Sequence, residues 1–156
     1  MRKGKMLVIS LLSVLLVSTP VLAKNSKPKA SANPPASRGE VLRGTFGASD
    51  HWGSGWLDLK SSKDFKKGDT LRIKVGGTAK KILVRLLARG EDPNLPVGIL
   101  GAAREVPGNR TVEVKLDSDY KDIVQISVHG GPNPWGQFPL GGGNGPATIE
   151  SVELVR

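Results

Sequence analysis

The stretch that decides the fold class is Thr70-Leu71-Arg72-Ile73-Lys74-Val75. Its apolar side chains recur at every second position, with polar or charged residues between them. A period of two places Leu71, Ile73 and Val75 on one face of a β-strand and the polar residues on the other. Such a strand is half buried, as in antiparallel sheets that pack one face on a core.

The same alternation recurs in Trp56-Leu57-Asp58-Leu59, in residues 111–116 and in residues 124–128. Residues 80–88 are apolar on both faces, which favours a central strand covered on both sides; a short helix is the alternative. In residues 147–155 the apolar phase changes near Ser151. A β-bulge at that point would return the apolar residues to one inward face.

Turn signals separate these apolar runs: Lys67-Gly68-Asp69, Gly76-Gly77, Gly90, Pro107-Gly108-Asn109 and Gly130-Gly131-Pro132. Short strands at this spacing predict an all-β protein with an antiparallel sandwich or barrel. No stretch has both the length and the periodicity expected of a helix.

The first 23 residues predict export. Three cations, Arg2, Lys3 and Lys5, precede an apolar run over residues 6–17, and a small residue, Ala23, follows a helix-breaking proline. This is the order of a secretory signal peptide, with cleavage after Ala23 and a periplasmic or secreted mature chain that has no membrane span. The alternative is an uncleaved anchor, because residues 6–23 form 18 uncharged positions, close to the minimum that spans a bilayer.

The net charge of +9 is not evenly distributed. Residues 1–23 hold three cations and residues 24–39 hold four, with no acid in either segment, so residues 40–156 keep 16 cations and all 14 acids. The second segment is also poor in large apolar residues and is predicted to be a disordered linker. Residues 40–156 are predicted to be one nearly neutral β-sandwich domain, whose charge gives no footprint for a nucleic acid.

No catalytic set is recognisable in the sequence, so the domain is predicted not to be an enzyme. Cysteine is absent, which excludes disulfides and thiolate metal sites. His51 and His129 do not stand in a metal-ligand spacing, although a zinc site made with Asp50 remains open as an alternative. The loop Glu91-Asp92-Pro93-Asn94 has the oxygen ligands that calcium prefers, but a polar turn explains it more simply.

Aromatic residues in glycine-rich, loop-like contexts suggest a binding site. They form two groups with polar neighbours, namely Trp52 with Asp50 and His51, and Trp135 with Gln137 and Phe138. A flat ring offers a stacking surface for a sugar, and the polar neighbours can hydrogen-bond its hydroxyls. These six residues are the predicted ligand-binding residues. Burial of Trp52 and Trp135 as core or loop anchors is the alternative, and Trp56 is predicted to lie in the core.

The order of elements resembles the jelly-roll carbohydrate-binding modules of the galactose-binding-like fold. The resemblance lies in residues 55–59 (an early Trp-containing strand), in the turn and strand Gly-Asp-Thr-Leu-Arg-Ile-Lys-Val at 68–75, and in the closing strand at 147–154. It implies a jelly-roll sandwich whose closing strand packs beside the first strand. It also implies a possible structural calcium ion, for which Glu40 and Glu150 occupy comparable positions; no other cofactor is expected.

The leading hypothesis is an exported, non-catalytic module that binds a glycan through its loop aromatics. The alternative is a structural or interaction domain that docks a partner protein of the cell envelope, and a small enzyme is the third hypothesis. The sequence does not predict an oligomeric state.

Overall fold

The computed structural model describes residues 39–131 and 145–156. Within them the chain forms no helix and nine strands: β1 (Glu40–Val41), β2 (Gly44–Ser49), β3 (Ser54–Phe65), β4 (Thr70–Gly77), β5 (Lys81–Ala88), β6 (Arg104–Glu105), β7 (Thr111–Lys115), β8 (Tyr120–His129) and β9 (Ala147–Val155). In this part of the chain, no helix is long and apolar enough to cross a membrane. The predicted signal peptide and all but the last residue of the predicted linker lie outside the described residues.

The strands form two antiparallel sheets that pack face to face. One sheet has the order β1-β9-β4-β7 and the other has the order β2-β3-β8-β5-β6. The predicted all-β class and antiparallel β-sandwich are therefore confirmed. The strand at residues 80–88 is confirmed as well, and the helix alternative for that run was wrong.

The core lies between the sheets and is built from the alternating apolar positions. Leu71, Ile73 and Val75 of β4 face Leu57 of β3 and Ile126 of β8, and all five side chains are fully buried. Burying each of them stabilises the fold by about 1.5–3 kcal/mol, which is the main stabilisation available to a domain without disulfides. The alternation therefore determines which face of each strand packs on the core and which face points outward.

The predicted β-bulge in the last strand is confirmed. Lys74 of β4 pairs with Ser151, while the next residue, Val75, pairs with Ile149, so Glu150 is the extra residue. The bulge shifts the strand by one position, and residues on both sides of it then point into the core. Without this shift, half of β9 would turn its apolar side chains towards solvent.

The loop after β5 closes the edge of the five-stranded sheet. Gly98 accepts a hydrogen bond from the Leu86 amide, and the Leu100 amide donates to Val84, so the loop runs along β5. Gly98 has a φ of +67°, and a Cβ there would lie 1.7 Å from the Leu86 carbonyl oxygen. This position therefore requires glycine. An earlier residue of the loop, Pro93, lies over the outer face of β5, where its carbonyl oxygen accepts a hydrogen bond from Arg85.

Candidate ligand-binding site

The outer face of the five-stranded sheet carries aromatic and polar side chains in register. Ser127 of β8 lies opposite Trp56 of β3 on one side and opposite Arg85 of β5 on the other. Gly47 of β2 extends this row beyond Trp56, and His129 lies two residues after Ser127 on the same face. Facing residues on paired strands point to the same side of a sheet, so the four side chains and the glycine share one surface.

These residues form the floor of an open depression of about 510 Å³. Its described lining comprises two tryptophans, Trp52 and Trp56, two basic residues, Arg85 and His129, and neutral polar groups between them. Its volume lies within the range of small-molecule sites, and the mixture of flat rings with a few directed polar groups is typical of such sites.

Trp56 provides a flat apolar surface at one side of the depression. A Cβ added to Gly47 would lie 2.4 Å from Cε2 and 2.5 Å from Nε1 of the Trp56 indole, so the ring lies directly over the Gly47 backbone. Any larger residue at position 47 would push the ring away from the sheet. Trp56 is partly exposed and points away from the core, opposite in direction to Leu57. The prediction that Trp56 is a core residue was therefore wrong.

Trp52 stands at the rim, on the turn that joins β2 and β3. The turn is closed by a hydrogen bond from the Gly53 amide to the Asp50 carbonyl oxygen, at 3.2 Å. Trp52 is 41% exposed, and its ring meets His51 edge to face with 4.3 Å between the centroids. The Gly53 carbonyl oxygen accepts hydrogen bonds from the amides of Gly130 and Ala147, which fixes the turn to the ends of β8 and β9.

Arg85 brings a positive charge to the floor of the depression. It is only 3% exposed, and its Nη1 donates a hydrogen bond of 2.9 Å to the Pro93 carbonyl oxygen on the loop that follows β5. Burial lowers the pKa of the Arg85 guanidinium, while the negative charges of Glu91 and Asp92 oppose this shift. Arginine keeps its charge throughout the ordinary pH range even so.

His129 is a buried, neutral imidazole beside Ser127. It is 7% exposed, and its Nε2 lies 3.1 Å from the Ser127 hydroxyl oxygen. Burial, assisted by the charge of Arg85, lowers the pKa of His129 to about 4. At neutral pH the ring can therefore both donate and accept a hydrogen bond but adds no charge.

The structure separates the six predicted binding residues. Trp52 lines the depression and is exposed, whereas Asp50 and His51 lie on the exposed part of the same turn and are not among the described lining residues. Trp135, Gln137 and Phe138 lie outside the described residues. Trp52 is therefore exposed rather than buried as a core anchor, and its polar neighbours in sequence do not line the floor of the depression.

Sequence reasoning missed the residues on the strands. Ser127 and Gln125 occupy the polar positions of an alternating strand, and Gln125 donates a hydrogen bond of 2.8 Å to Asp58 on β3. The alternation predicted on which face of the strand these residues lie. It did not predict which residues of the neighbouring strands they lie beside. Arg85 is the one charged residue in the apolar run at residues 82–88. That isolated charge was the sequence signal that could have marked it as part of a site.

The described residues contain no group of three or more His, Cys, Asp or Glu side chains that could hold a metal ion. Glu40, one of the two candidates for calcium binding, forms ion pairs with Lys63 and Arg156. In the loop proposed for calcium, Asp92 accepts hydrogen bonds from the backbone and side chain of Asn94, at 2.8 and 3.1 Å. These carboxylates therefore already serve local structure.

No protein-family model, curated protein or solved structure matches the chain. The chemistry of the depression is therefore inferred from its own residues. It combines one ring laid flat on the sheet, a second ring at the rim, one buried cation and several neutral hydrogen-bonding groups.

Proposed function

We propose that the protein is an exported, non-catalytic module that binds a carbohydrate in the depression on the five-stranded sheet. The observation that carries the proposal is the Trp56 ring, which lies flat over Gly47 and partly exposed beside a row of polar side chains. The apolar CH face of a sugar ring stacks on such a surface, while its hydroxyls hydrogen-bond the neighbouring groups. Ser127, Gln125 and Asn94 line the same depression and supply neutral hydrogen-bonding groups.

The non-catalytic part of the proposal rests on the surroundings of His129. A serine beside an imidazole also occurs in hydrolase triads, where a carboxylate orients the imidazole. The described lining of the depression includes no carboxylate. A histidine with a pKa of about 4 is also a weak base at neutral pH. The Ser127–His129 pair is therefore better suited to hydrogen-bonding a ligand than to generating a nucleophile.

The test is a glycan array followed by affinity electrophoresis of the mature chain. We expect Trp56→Ala to weaken retention by about thirtyfold, because the loss of a central aromatic contact costs about 2 kcal/mol. Trp52→Ala should have a smaller effect because Trp52 lies at the rim. Phe46→Ala is the matched control: Phe46 is 48% exposed on β2, but it pairs with Leu57 and so points to the opposite side of the sheet.

Equal retention of the wild type and Trp56→Ala would contradict the proposed site. Release of new reducing ends from a bound glycan would contradict the non-catalytic role. Export is tested separately, by mass spectrometry of the mature N-terminus, which we expect to begin at Lys24. An intact N-terminus would favour the anchor alternative.

Docking of an envelope protein is the second candidate, and one observation favours it. β2 is an edge strand, and no described strand pairs with its outer side. An added strand from a partner could pair there, next to the exposed Phe46. Pull-down of a stoichiometric envelope protein by the wild type but not by Phe46→Ala, together with no glycan retention, would favour this candidate over the first.

A further inference from the structure

The edge strands of the two sheets differ in how well they are protected against pairing with another chain. β1 and β6 are two residues long, and β7 carries Glu113 and Lys115 at alternating positions. Short length and edge charges are common ways in which proteins prevent edge-to-edge association. β2, by contrast, has six residues, none of them charged and none a proline. Among the described strands, β2 is therefore the edge that is open to pairing.

The backbone groups of β2 that point away from its sheet belong to every second residue. The Lys60 amide donates a hydrogen bond of 3.0 Å to the Arg43 carbonyl oxygen, and these two residues continue the register of β2 with β3 as a hydrogen-bonded pair. Such pairs alternate along an antiparallel ladder, so the odd-numbered residues of β2 bond to β3 and the even-numbered ones turn their N–H and C=O groups outward. The outward groups belong to Gly44, Phe46 and Ala48, all of which are exposed.

A second copy of β2 fits this edge in an antiparallel register that uses all of these outward groups. A two-fold axis at Phe46 places Phe46 opposite its symmetry mate and Gly44 opposite Ala48 of the other copy. Each facing pair then exchanges both of its hydrogen bonds. The residues of β2 other than Phe46 are glycine, alanine, serine or threonine, so no bulky side chain hinders the approach.

The Phe46 side chain would be covered by this pairing. It is 48% exposed, and it lies on the core side of its sheet because it pairs with Leu57 of β3. Across the axis the Cα atoms of the two Phe46 residues would be about 5.5 Å apart, with both rings on the same side of the joined sheet. Aromatic pairs that face each other in this way stabilise neighbouring strands.

The charges that flank β2 are complementary across the same axis. Arg43 precedes the strand and Asp50 follows it, both are exposed, and neither side chain forms an ion pair within the part of the chain that the structure describes. Antiparallel pairing sets the start of one strand beside the end of the other, so Arg43 lies opposite Ser49 of the second copy and next to its Asp50. A strand with a cation at one end and an anion at the other is therefore complementary to itself.

We infer that two copies of this chain associate through β2, antiparallel around a two-fold axis at Phe46, with Arg43 of each copy against Asp50 of the other. The two five-stranded sheets then form one continuous sheet. Because the axis is perpendicular to that sheet, both depressions open on the same side of it. The pairing uses the open edge of each copy, so the assembly ends at a dimer. The inference does not depend on what the depression binds.

Sedimentation velocity of the mature chain, run from micromolar to millimolar concentration, tests the association. We expect a monomer that converts to a dimer, and to no larger species, as the concentration rises. A chain that stays monomeric throughout would overturn the inference. Stoichiometric capture of an envelope protein by such a monomer would assign the β2 edge to that partner instead.

Hydrogen exchange locates the interface within the dimer. The Phe46 amide should exchange more slowly at high concentration, because it is bonded only across the axis. The Thr45 amide is the internal control, since it bonds to β3 in both states and should not change. A dimer in which the Phe46 amide exchanges as fast as in the monomer would refute pairing through β2.

Two substitutions at one position test the backbone contact. Ala48→Pro removes an outward N–H but no bond to β3, as edge strands tolerate, so the monomer should fold while the dimer weakens by about tenfold or more. Ala48→Ser keeps the N–H and should associate like the wild type. Equal association of the two variants would contradict the proposed hydrogen bonds.

A charge exchange tests the register. Arg43→Glu and Asp50→Lys should each weaken the dimer about tenfold, because like charges then meet on both sides of the axis. The double variant carries both changes, so opposite charges meet again with their signs exchanged, and association should return close to the wild-type level. A double variant as weak as the single ones would overturn the register. This series changes exposed side chains, so it decides the inference even if Ala48→Pro does not fold.

Discussion

Each outer face of the sandwich carries an arginine on a central strand, but the two arginines have opposite surroundings. On the four-stranded sheet, Arg72 of β4 lies between Glu113 of β7 and Glu153 of β9, with nitrogen–oxygen distances of 3.0 and 3.3 Å. On the five-stranded sheet, Arg85 lies between Leu83 and Leu87 on its own strand and opposite Ser127 of β8. The first arginine is partly exposed, and the second is almost fully buried.

The difference shows how one sequence pattern produces two kinds of surface. The hydrogen bond with Glu113 is the main cause that raises the pKa of Arg72, whereas burial lowers the pKa of Arg85. Facing charges of opposite sign neutralise each other across strands and leave a solvated surface. On the five-stranded face, Arg85 is instead buried, and its Nη1 donates to the Pro93 carbonyl oxygen. The comparison predicts which substitutions each face tolerates.

The largest expected effect is a pH dependence of stability that comes from the five-stranded face. The pKa of His129 is about 4 in the folded protein, against about 6.5 when the chain is unfolded. Between these values the unfolded state binds a proton that the folded state does not, so stability is full above pH 6.5 and declines towards pH 4. The loss should reach about 3 kcal/mol.

Urea unfolding at a series of pH values measures this loss. His129→Gln keeps a hydrogen-bonding group near Ser127 but does not titrate, so its stability should fall less than that of the wild type over this interval. His51→Gln, on the exposed turn, is the control and should retain the wild-type dependence. Parallel curves for the wild type and His129→Gln would refute the assignment.

The next effect, about 2 kcal/mol, is expected from Gly47→Ala. The new methyl group would lie within 2.5 Å of the Trp56 ring, so the ring must leave its place on the sheet. Both unfolding free energy and glycan retention should fall. Gly108→Ala is the control, because nothing lies within 4 Å of a Cβ at that turn position. An unchanged near-ultraviolet circular dichroism spectrum in Gly47→Ala would show that Trp56 does not rest on Gly47.

The smallest effect should come from a pair of leucine variants. Arg85→Leu removes a buried charge and should raise the unfolding free energy by about 1 kcal/mol. Arg72→Leu removes exposed ion pairs, so its stability should change little. Chemical denaturation of both variants measures the difference. A strong destabilisation by Arg85→Leu would mean that Arg85 holds the fold together, and the contrast between the faces would fail.

Alternation allowed most of the fold to be predicted because a strand's period states which residues share a face. It predicted β4, β5, β7, β8 and β9, the part of β3 at residues 56–59, and the bulge near Ser151. It missed β2, whose sequence Gly-Thr-Phe-Gly-Ala-Ser has one large apolar residue and no clear period. It also missed β1 and β6, which are two residues long and depend on their partner strands.

The candidate site was less predictable because it depends on strand register. Trp56 and Leu57 are adjacent and both apolar, so the sequence alone does not decide which of them faces the core. Trp56 can face outward because Gly47, nine residues earlier, has no side chain and so leaves space for the indole. For Trp52 the sequence left burial and exposure as open alternatives, and the structure leaves the ring 41% exposed at the rim.

The alternation within β8 separates the residues of the core from those of the candidate site. Ile126 and Val128 point into the core, and the intervening Gln125, Ser127 and His129 point out of it. One strand thus carries two interleaved sets of positions, one that faces the core and one that lines the candidate site. Substitutions in the second set can reshape the depression while the first set preserves the scaffold, so β3, β5 and β8 form a natural starting point for directed evolution of a binding surface.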